Sequence, residues 1–354
     1  MAERRDKRGI VTASDVARFA GVSQATVSRV FNKDCKIRIN PESRQRVLDA
    51  AEELGYIPNA IAQIMKSGRS GIIGIVVSSY FNLFYYQILE ILTNRLMDLG
   101  FRAMVFTSDP KEDINALMES LYQYQVDGVI VTSSALSHHV TSKWIKKGMP
   151  VTLLNGYMPE MEISAVQSDQ YGSGKTMAEY VMEVGHQRFA YVSSENSLHK
   201  NYIPRQRGFM ETLEKNGVRE CKVIPGGYSY ESGLEAGRAL LSEPSPPDAI
   251  FCSGDLNALG VIDAVRERKG LRLGVDISVT GYDAPILPAL NAYSLTGMTQ
   301  QTHRLCIDCV DLLQRLIESP DLPPQVITRP MTLTIRGSSR KRVEYQIRAG
   351  KKPF

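Results

Sequence analysis

The 354-residue sequence predicts a small all-α head followed by a larger, two-lobed α/β body. Three observations carry this reading. The stretch "AGVSQATVSRVFN" (20–32), taken with the residues before it, gives two short helical runs about a glycine, which is helix-turn-helix spacing. From Gly71 onward β-rich runs alternate with helical stretches, as parallel sheets with right-handed crossovers require. Charge divides along the same line: residues 1–70 hold 13 Lys+Arg against 8 Asp+Glu, the segment from Arg336 holds 7 against 1, and the stretch between is net −7. A chain of this length exceeds one core and calls for two or three domains.

In the head, Thr12-Ala13-Ser14-Asp15 has capping-box spacing, and Val16, Phe19 and Ala20 form the first apolar stripe. Gly21 suits the left-handed residue that ends a helix. Ser23 is an N-cap for the second helix, whose stripe is Val27, Val30 and Phe31. Gln24, Ala25, Ser28 and Arg29 fall on its other faces. Asn40-Pro41-Glu42 opens a third helix, with Val47, Leu48, Ala51 and Leu54 on its apolar side and Gly55 as its stop. Three such helices can share one small core and leave the outer face of the second free. Gln24, Ala25 and Arg29 on that face are short, polar or cationic, and suited to base edges in a major groove. The alternative is a helical bundle with a merely polar surface. The next segment, 56–68, is helix-compatible but barely two turns long, so it forms a helix only when something packs on it.

The body reads as "IIGIVVS", then the helical "YYQILEILTNRLMDLG", then "FRAMVFTSD", "VDGVIVTS", "MPVTLLN", "RFAYVSS", "DAIFCSG" and "ISVTGYD". These are too many strands for one sheet, so two similar lobes are expected. Ligands in such sheets bind beyond the carboxyl ends of the strands. Those ends carry Ser78, Ser79, Thr107, Ser133, Asn155, Ser194, Gly254 and Asp283.

Several classes are disfavoured. No stretch of 18 or more apolar residues is present, so no membrane span is expected, and the charged N-terminus lacks an apolar signal region. Five scattered cysteines suit a reducing cytoplasm. Cys306 and Cys309 have redox-motif spacing but lie in an amphipathic helix, as core or surface thiols. "YGSGKT" (171–176) mimics a phosphate loop but has Asp169 where that motif needs glycine; Gly172 and Gly174 are read instead as permitting close helix–sheet packing. The histidines lack metal spacing, and no nucleophile–base or paired-carboxylate set stands out. No cofactor, metal or catalytic residue is therefore assigned.

Residues 11–70 resemble the head and hinge of the LacI/GalR (lactose-repressor/galactose-repressor) family of bacterial transcription regulators, through "VTASDVARFAGVSQATVSRVFN" and "RQRVLDAAEELGYIPNAIAQIM". The resemblance implies base reading by Gln24, Ala25 and Arg29, and phosphate contacts from Thr12, Ser23, Thr26 and Asn32. It implies a hinge contributing Asn59 and Lys66, with Met65 where the family places a minor-groove leucine. The turn "KDCKIRINPE" is about two residues longer than the family pattern. The body is similar too, through "SDQYGSG", "VGHQRFAYV", "RQRGF", "GDLNALGVIDAV" and "SVTGYD", which implies a periplasmic-binding-protein-like effector module. By position the ligand contacts are Phe84, Tyr85, Asn155, Arg205, Asp283 and Gln300. Arg205 could alternatively be a salt bridge between lobes, Asp283 a loop cap, and either aromatic a packing residue. Gly254 departs from the family, which often has a hydrogen-bonding side chain there, and Asp255 is expected to cap the next helix.

The resulting expectation is a helix-turn-helix domain at 1–57, a hinge helix and linker at 58–70, an effector-binding and dimerisation domain at 71–336, and a basic, solvated tail at 337–354. Within the body the N-lobe spans about 71–166 and 299–336, and the C-lobe about 167–298. The implied function is a cytoplasmic, sequence-specific DNA-binding regulator, a repressor. It would act as a homodimer or tetramer on near-palindromic operator DNA, under control of a sugar, sugar acid or related metabolite. The alternative is a stand-alone sugar-binding or sugar-processing protein with a helical interaction head.

Overall fold

The computed structural model describes residues 11–31, 37–57, 69–78, 83–108, 114–132, 148–155, 162–193, 204–227, 229–282 and 290–340. The chain divides into two compact units, 1–71 and 72–354.

The first unit contains α1 (Ala13–Ala20), α2 (Gln24–Val30) and α3 (Pro41–Glu53). Thr12 closes a capping box: Asp15 accepts from the Thr12 amide at 2.9 Å and from its hydroxyl at 2.7 Å. Gly21, at φ 65°, turns the chain out of α1. Asn40 caps α3 through its side-chain oxygen, and Gly55, at φ 63°, follows the helix. Val16, Ala17, Ala20, Val27, Val30, Val47, Ala50 and Ala51 form the buried core, with Phe31 edge-on to Tyr56 at 5.6 Å. Two stripe residues differ from expectation. Phe19 is 55% exposed and Leu48 37% exposed, because the buried faces run through Ala17 and Ala50 instead. Short helices crossing at one point bury the small side chains that let them approach, and the larger neighbours are turned outward.

The second unit holds two six-stranded sheets. The first has the order β2-β1-β3-β4-β5-β11, from β1 (Ile72–Ser78), β2 (Arg102–Ser108), β3 (Gly128–Thr132), β4 (Val151–Leu154), β5 (Ser164–Ser168) and β11 (Val326–Arg329). The second has the order β7-β6-β8-β9-β10-β12, from β6 (Phe189–Ser193), β7 (Cys221–Pro225), β8 (Ala249–Cys252), β9 (Ser278–Tyr282), β10 (Thr296–Thr299) and β12 (Thr332–Thr334). All pairings are parallel except β10 with β12. The shared order places a topological switch point at β1/β3 in one sheet and β6/β8 in the other, so polar groups converge beyond the carboxyl ends of the strands.

Helices cover both faces. α4 (Leu83–Asp98) buries Ile88, Leu92 and Leu96 at four-residue intervals on the first sheet, where α10 (Thr302–Glu318) adds Leu305, Cys306, Cys309 and Leu313. α5 (Ile114–Gln123) lies over the opposite face, Leu121 packing with Val76 and Val129. On the second sheet α6 (Gln170–Glu183) pairs with α7 (Pro204–Lys215), and α8 (Tyr230–Leu241) with α9 (Asp255–Glu267). A Cβ on Gly174 would strike the Arg205 carbonyl, and one on Gly208 the Tyr171 carbonyl. Gly174 thus serves helix–helix packing, which corrects the helix–sheet role expected for it. Cys306 and Cys309 are core thiols; burial pushes Cys306 up to about 12.

The chain passes between sheets three times, at 168–170, 299–302 and 329–332. The third passage divides the 299–336 stretch assigned to the N-lobe: β11 belongs to the first sheet, but β12 returns to the second. Within the second sheet Gly297 of β10 lies against the Gly281 backbone, where a Cβ would crowd the Gly281 carbonyl. The start of the tail is also no solvated extension. Ser338 and Ser339 are 0% and 2% exposed. The Ser338 hydroxyl accepts from the Thr296 amide and donates to the Val279 carbonyl, while Ser339 bonds Tyr180 and Thr296. The Arg340 guanidinium donates to the carbonyls of Val275, Asp276 and Gly185. His186 completes the latch: its Nε2 lies 2.6 Å from Ser278 Oγ, which also accepts from the Arg340 amide, and its Nδ1 lies 3.5 Å from Asp248. This Ser–His–Asp arrangement is closed to substrate, because Ser278 is 0% exposed.

Candidate nucleic-acid interface and ligand cleft

Ser23 sets the outer face of α2. Its hydroxyl accepts from the Thr26 amide at 3.1 Å and meets the Thr26 hydroxyl at 2.9 Å. With Val27 and Val30 facing the core, Gln24, Ala25 and Arg29 are left exposed together, beside exposed Ser23 and Thr12. No acidic residue stands in the first turn of α2, so the positive end of its dipole faces outward unopposed by a carboxylate of its own. Ser23 and Thr26 serve as cap and cap partner, a geometry that also presents hydroxyls at the helix start. Asn32, Asn59, Met65 and Lys66 lie outside the described residues.

In the body, two expected ligand residues meet. Asn155 follows β4 in the left-handed region, at φ 57°, and its Nδ2 donates to Gln300 Oε1 at 2.8 Å. Ser168, at the end of β5, donates its hydroxyl to the same oxygen at 2.6 Å and its amide to Asn155 Oδ1 at 3.1 Å. Gln300 is 8% and Ser168 3% exposed. A cavity of about 370 Å³ adjoins this cluster, lined by Thr299, Gln300, Gln301 and Thr302 with Gln87, His303 and Arg304.

Arg205 lies elsewhere on the second lobe. Its guanidinium carbon sits 3.6 Å from the centre of the Tyr282 ring, and its terminal nitrogens donate to the Ser253 carbonyl and to Gln170 Oε1. Stacking and two amide-type acceptors fix the planar fork at the carboxyl ends of β8 and β9. Those partners belong to the second lobe and its entry helix. Beside it Gly254 is the N-cap of α9, and its amide donates to Asn257 Oδ1 at 3.2 Å. Asp255 is therefore the first helical residue, which corrects its reading as the cap; Gly254 has no side chain, and the bond to its amide comes from the Asn257 side chain. Asp283 lies outside the described residues. Phe84 and Tyr85 are placed by backbone alone in the first turn of α4, and their side chains are outside the description. Sequence reasoning missed Ser168, Gln170 and Tyr282. Tyr282 directly precedes Asp283, and Ser168 closes a β run, so the strand-end rule applied to "SAVQS" and "SVTGY" would have found both.

Among the described residues no group of three or more His, Cys, Asp or Glu could hold a metal ion, and no helix is long and apolar enough to cross a membrane.

Comparison with known proteins places these features. Residues 12–59 match the model of bacterial regulatory proteins of the lacI family, and residues 178–339 match a periplasmic binding protein-like domain. Catabolite control protein A of Priestia megaterium is 29% identical over 93% of this chain and 99% of its own length. The HTH-type transcriptional regulator DegA of Bacillus subtilis is 30% identical over 91% of this chain and 98% of its own. Among solved structures, the lac repressor dimer bound to operator and the anti-inducer ONPF superposes with a TM-score of 0.82, at 27% identity over 94% of this chain and all of that one. The whole described architecture, head and two-lobed body alike, is shared with these relatives along nearly their full length, and the chain belongs to the lacI family of bacterial regulatory proteins.

Proposed function

We propose that this chain is a DNA-binding transcriptional repressor whose head reads one half of a near-palindromic operator and whose body takes a small polar metabolite between its lobes. The family consists of transcription regulators, and no catalytic role is assigned to any residue here. The observation that carries the reading is the exposed Gln24–Ala25–Arg29 face on a helix held from behind by Val27 and Val30, in a head with excess positive charge. Arg29 has the donors to read guanine bidentately, Gln24 suits adenine, and Ala25 can meet a thymine methyl. The phosphate contacts assigned to Thr12, Ser23, Thr26 and Asn32, and the hinge roles of Asn59, Met65 and Lys66, belong to this proposal.

For the body, support comes from Arg205 stacked on Tyr282 at strand ends and from amides that can meet hydroxyl groups, a donor and acceptor set suited to sugars and their derivatives. Relatives act in kind: the transcriptional regulator CelR, 26% identical, was solved as a cellobiose complex, and the ribose operon repressor of Escherichia coli is 28% identical. Two chains pair through their bodies, and a ligand shifts the pair between operator-competent and incompetent states by its differential affinity for them. The test compares the full chain with a chain lacking residues 1–70. The full chain selects one duplex over random competitor at moderate salt, while the truncated chain loses all duplex binding and keeps the sugar-induced shift in melting temperature. A full chain with no preference for any duplex overturns the proposal.

A further inference from the structure

The three passages between the sheets are stitched to one another. The Asp169 amide donates to the Arg329 carbonyl at 2.8 Å, joining the first passage to the third. Gln301 Nε2 donates to the Pro330 carbonyl at 3.0 Å, joining the second to the third. First and second are joined through side chains, by Ser168 and Asn155 on Gln300.

The polarity of this last junction can be read without ambiguity. A backbone N–H can only donate, so the Ser168 amide identifies the Asn155 atom facing it as Oδ1. Asn155 Nδ2 is then the atom facing Gln300, and a donor there requires Gln300 to present Oε1. The Ser168 hydroxyl occupies the second lone pair of that oxygen. With both lone pairs used, any further bond from the Gln300 side chain is a donation through Nε2. Ser168 and Gln300 are buried, so losing the serine donor leaves a costly acceptor rather than a hydrated one.

We propose that Ser168 is the positioning residue of the interlobe hinge. Through its amide and its hydroxyl together it orients the Asn155 and Gln300 amides and fastens the first passage to the second, so fixing the angle between lobes. The inference rests on this geometry alone and stands whether or not an effector is found.

The test uses the full chain with a pair of spin labels, one on each lobe, introduced as labelled non-natural residues at the exposed helix positions Glu90 and Glu235. The parent gives one narrow interlobe distance distribution. Ser168→Ala broadens or shifts it and speeds hydrogen exchange at 168–170 and 299–301 about tenfold. Ser168→Thr, which keeps the hydroxyl, restores both. A merely structural serine would lower the melting temperature without moving the interlobe distance. Should Ser168→Ala fail to fold, Gln300→Met removes the shared acceptor at similar volume and gives the same broadening. Parent-like distances in the folded variant, or a threonine variant indistinguishable from the alanine one, overturn the proposal.

Discussion

Val27→Ala separates what holds the head together from what reads DNA. Val27 is 1% exposed, in a core otherwise made of seven buried alanines and valines. The substitution removes two methyl carbons at about 0.8 kcal/mol each, and the space they leave raises the loss to about 2 kcal/mol. A single core of this size supplies only about 3–5 kcal/mol. The variant head therefore keeps a folded majority but opens about thirtyfold more often, since each 1.4 kcal/mol is a factor of ten. Hydrogen exchange read by mass spectrometry is the assay. Amides in α1 to α3 exchange about thirtyfold faster, while those of the sheets in the second unit keep parent rates, because the two units are compact by themselves. Gln24→Ala, at an exposed position, serves as the control and leaves exchange unchanged. A loss below about 0.5 kcal/mol for Val27→Ala, the size of an ordinary surface effect, would refute the assignment of the core; matching acceleration in the sheets would refute the independence of the units.

Other expectations concern the DNA contacts and the response to acid. Arg29→Ala relaxes preference at one base position of the operator by about 1–3 kcal/mol in competition titrations, and a uniform loss across all duplexes contradicts its reading role. Met65→Gly weakens specific binding by several kcal/mol if it fills the hinge leucine's place as an apolar wedge, and equal operator affinity counts against that role. Burial opposes the Asp248 carboxylate, but the His186 side chain and the Arg188 and Gln187 amides outweigh it and hold the group below its ordinary value of 3.8. A carboxylate depressed on folding stabilises above its unfolded value and loses that contribution as pH falls through its folded one. Acid titration of Asp248→Asn should accordingly show a shallower loss of stability below pH 3.8 than the parent; equal slopes would exclude the contribution.

The local elements were legible in the residues. Thr12, Ser23 and Asn40 cap because a short side-chain oxygen beside free amides has one good use, and Gly21 and Gly55 turn because their φ is positive. The period of Ile88, Leu92 and Leu96 announced α4. The strands β5, β7, β10, β11 and β12 were not announced: polar residues interrupt each of them, so they lack the apolar run that marks β8 at a similar length, and β10 to β12 each lie next to a passage between sheets. The 299–336 boundary and the buried Ser338–Ser339 latch were missed for that reason.

What the sequence determined by itself, then, is everything set within a few residues along the chain: caps, turns, helical stripes, and the family likeness they compose. Tertiary structure alone decided which polar groups satisfy each other. Gln300 meets Asn155 across 145 residues and Ser168 across 132, so no spacing rule could pair them. Only the return of the chain through a shared hinge brings their dipoles within hydrogen-bonding reach, and only burial there makes the pairing obligatory.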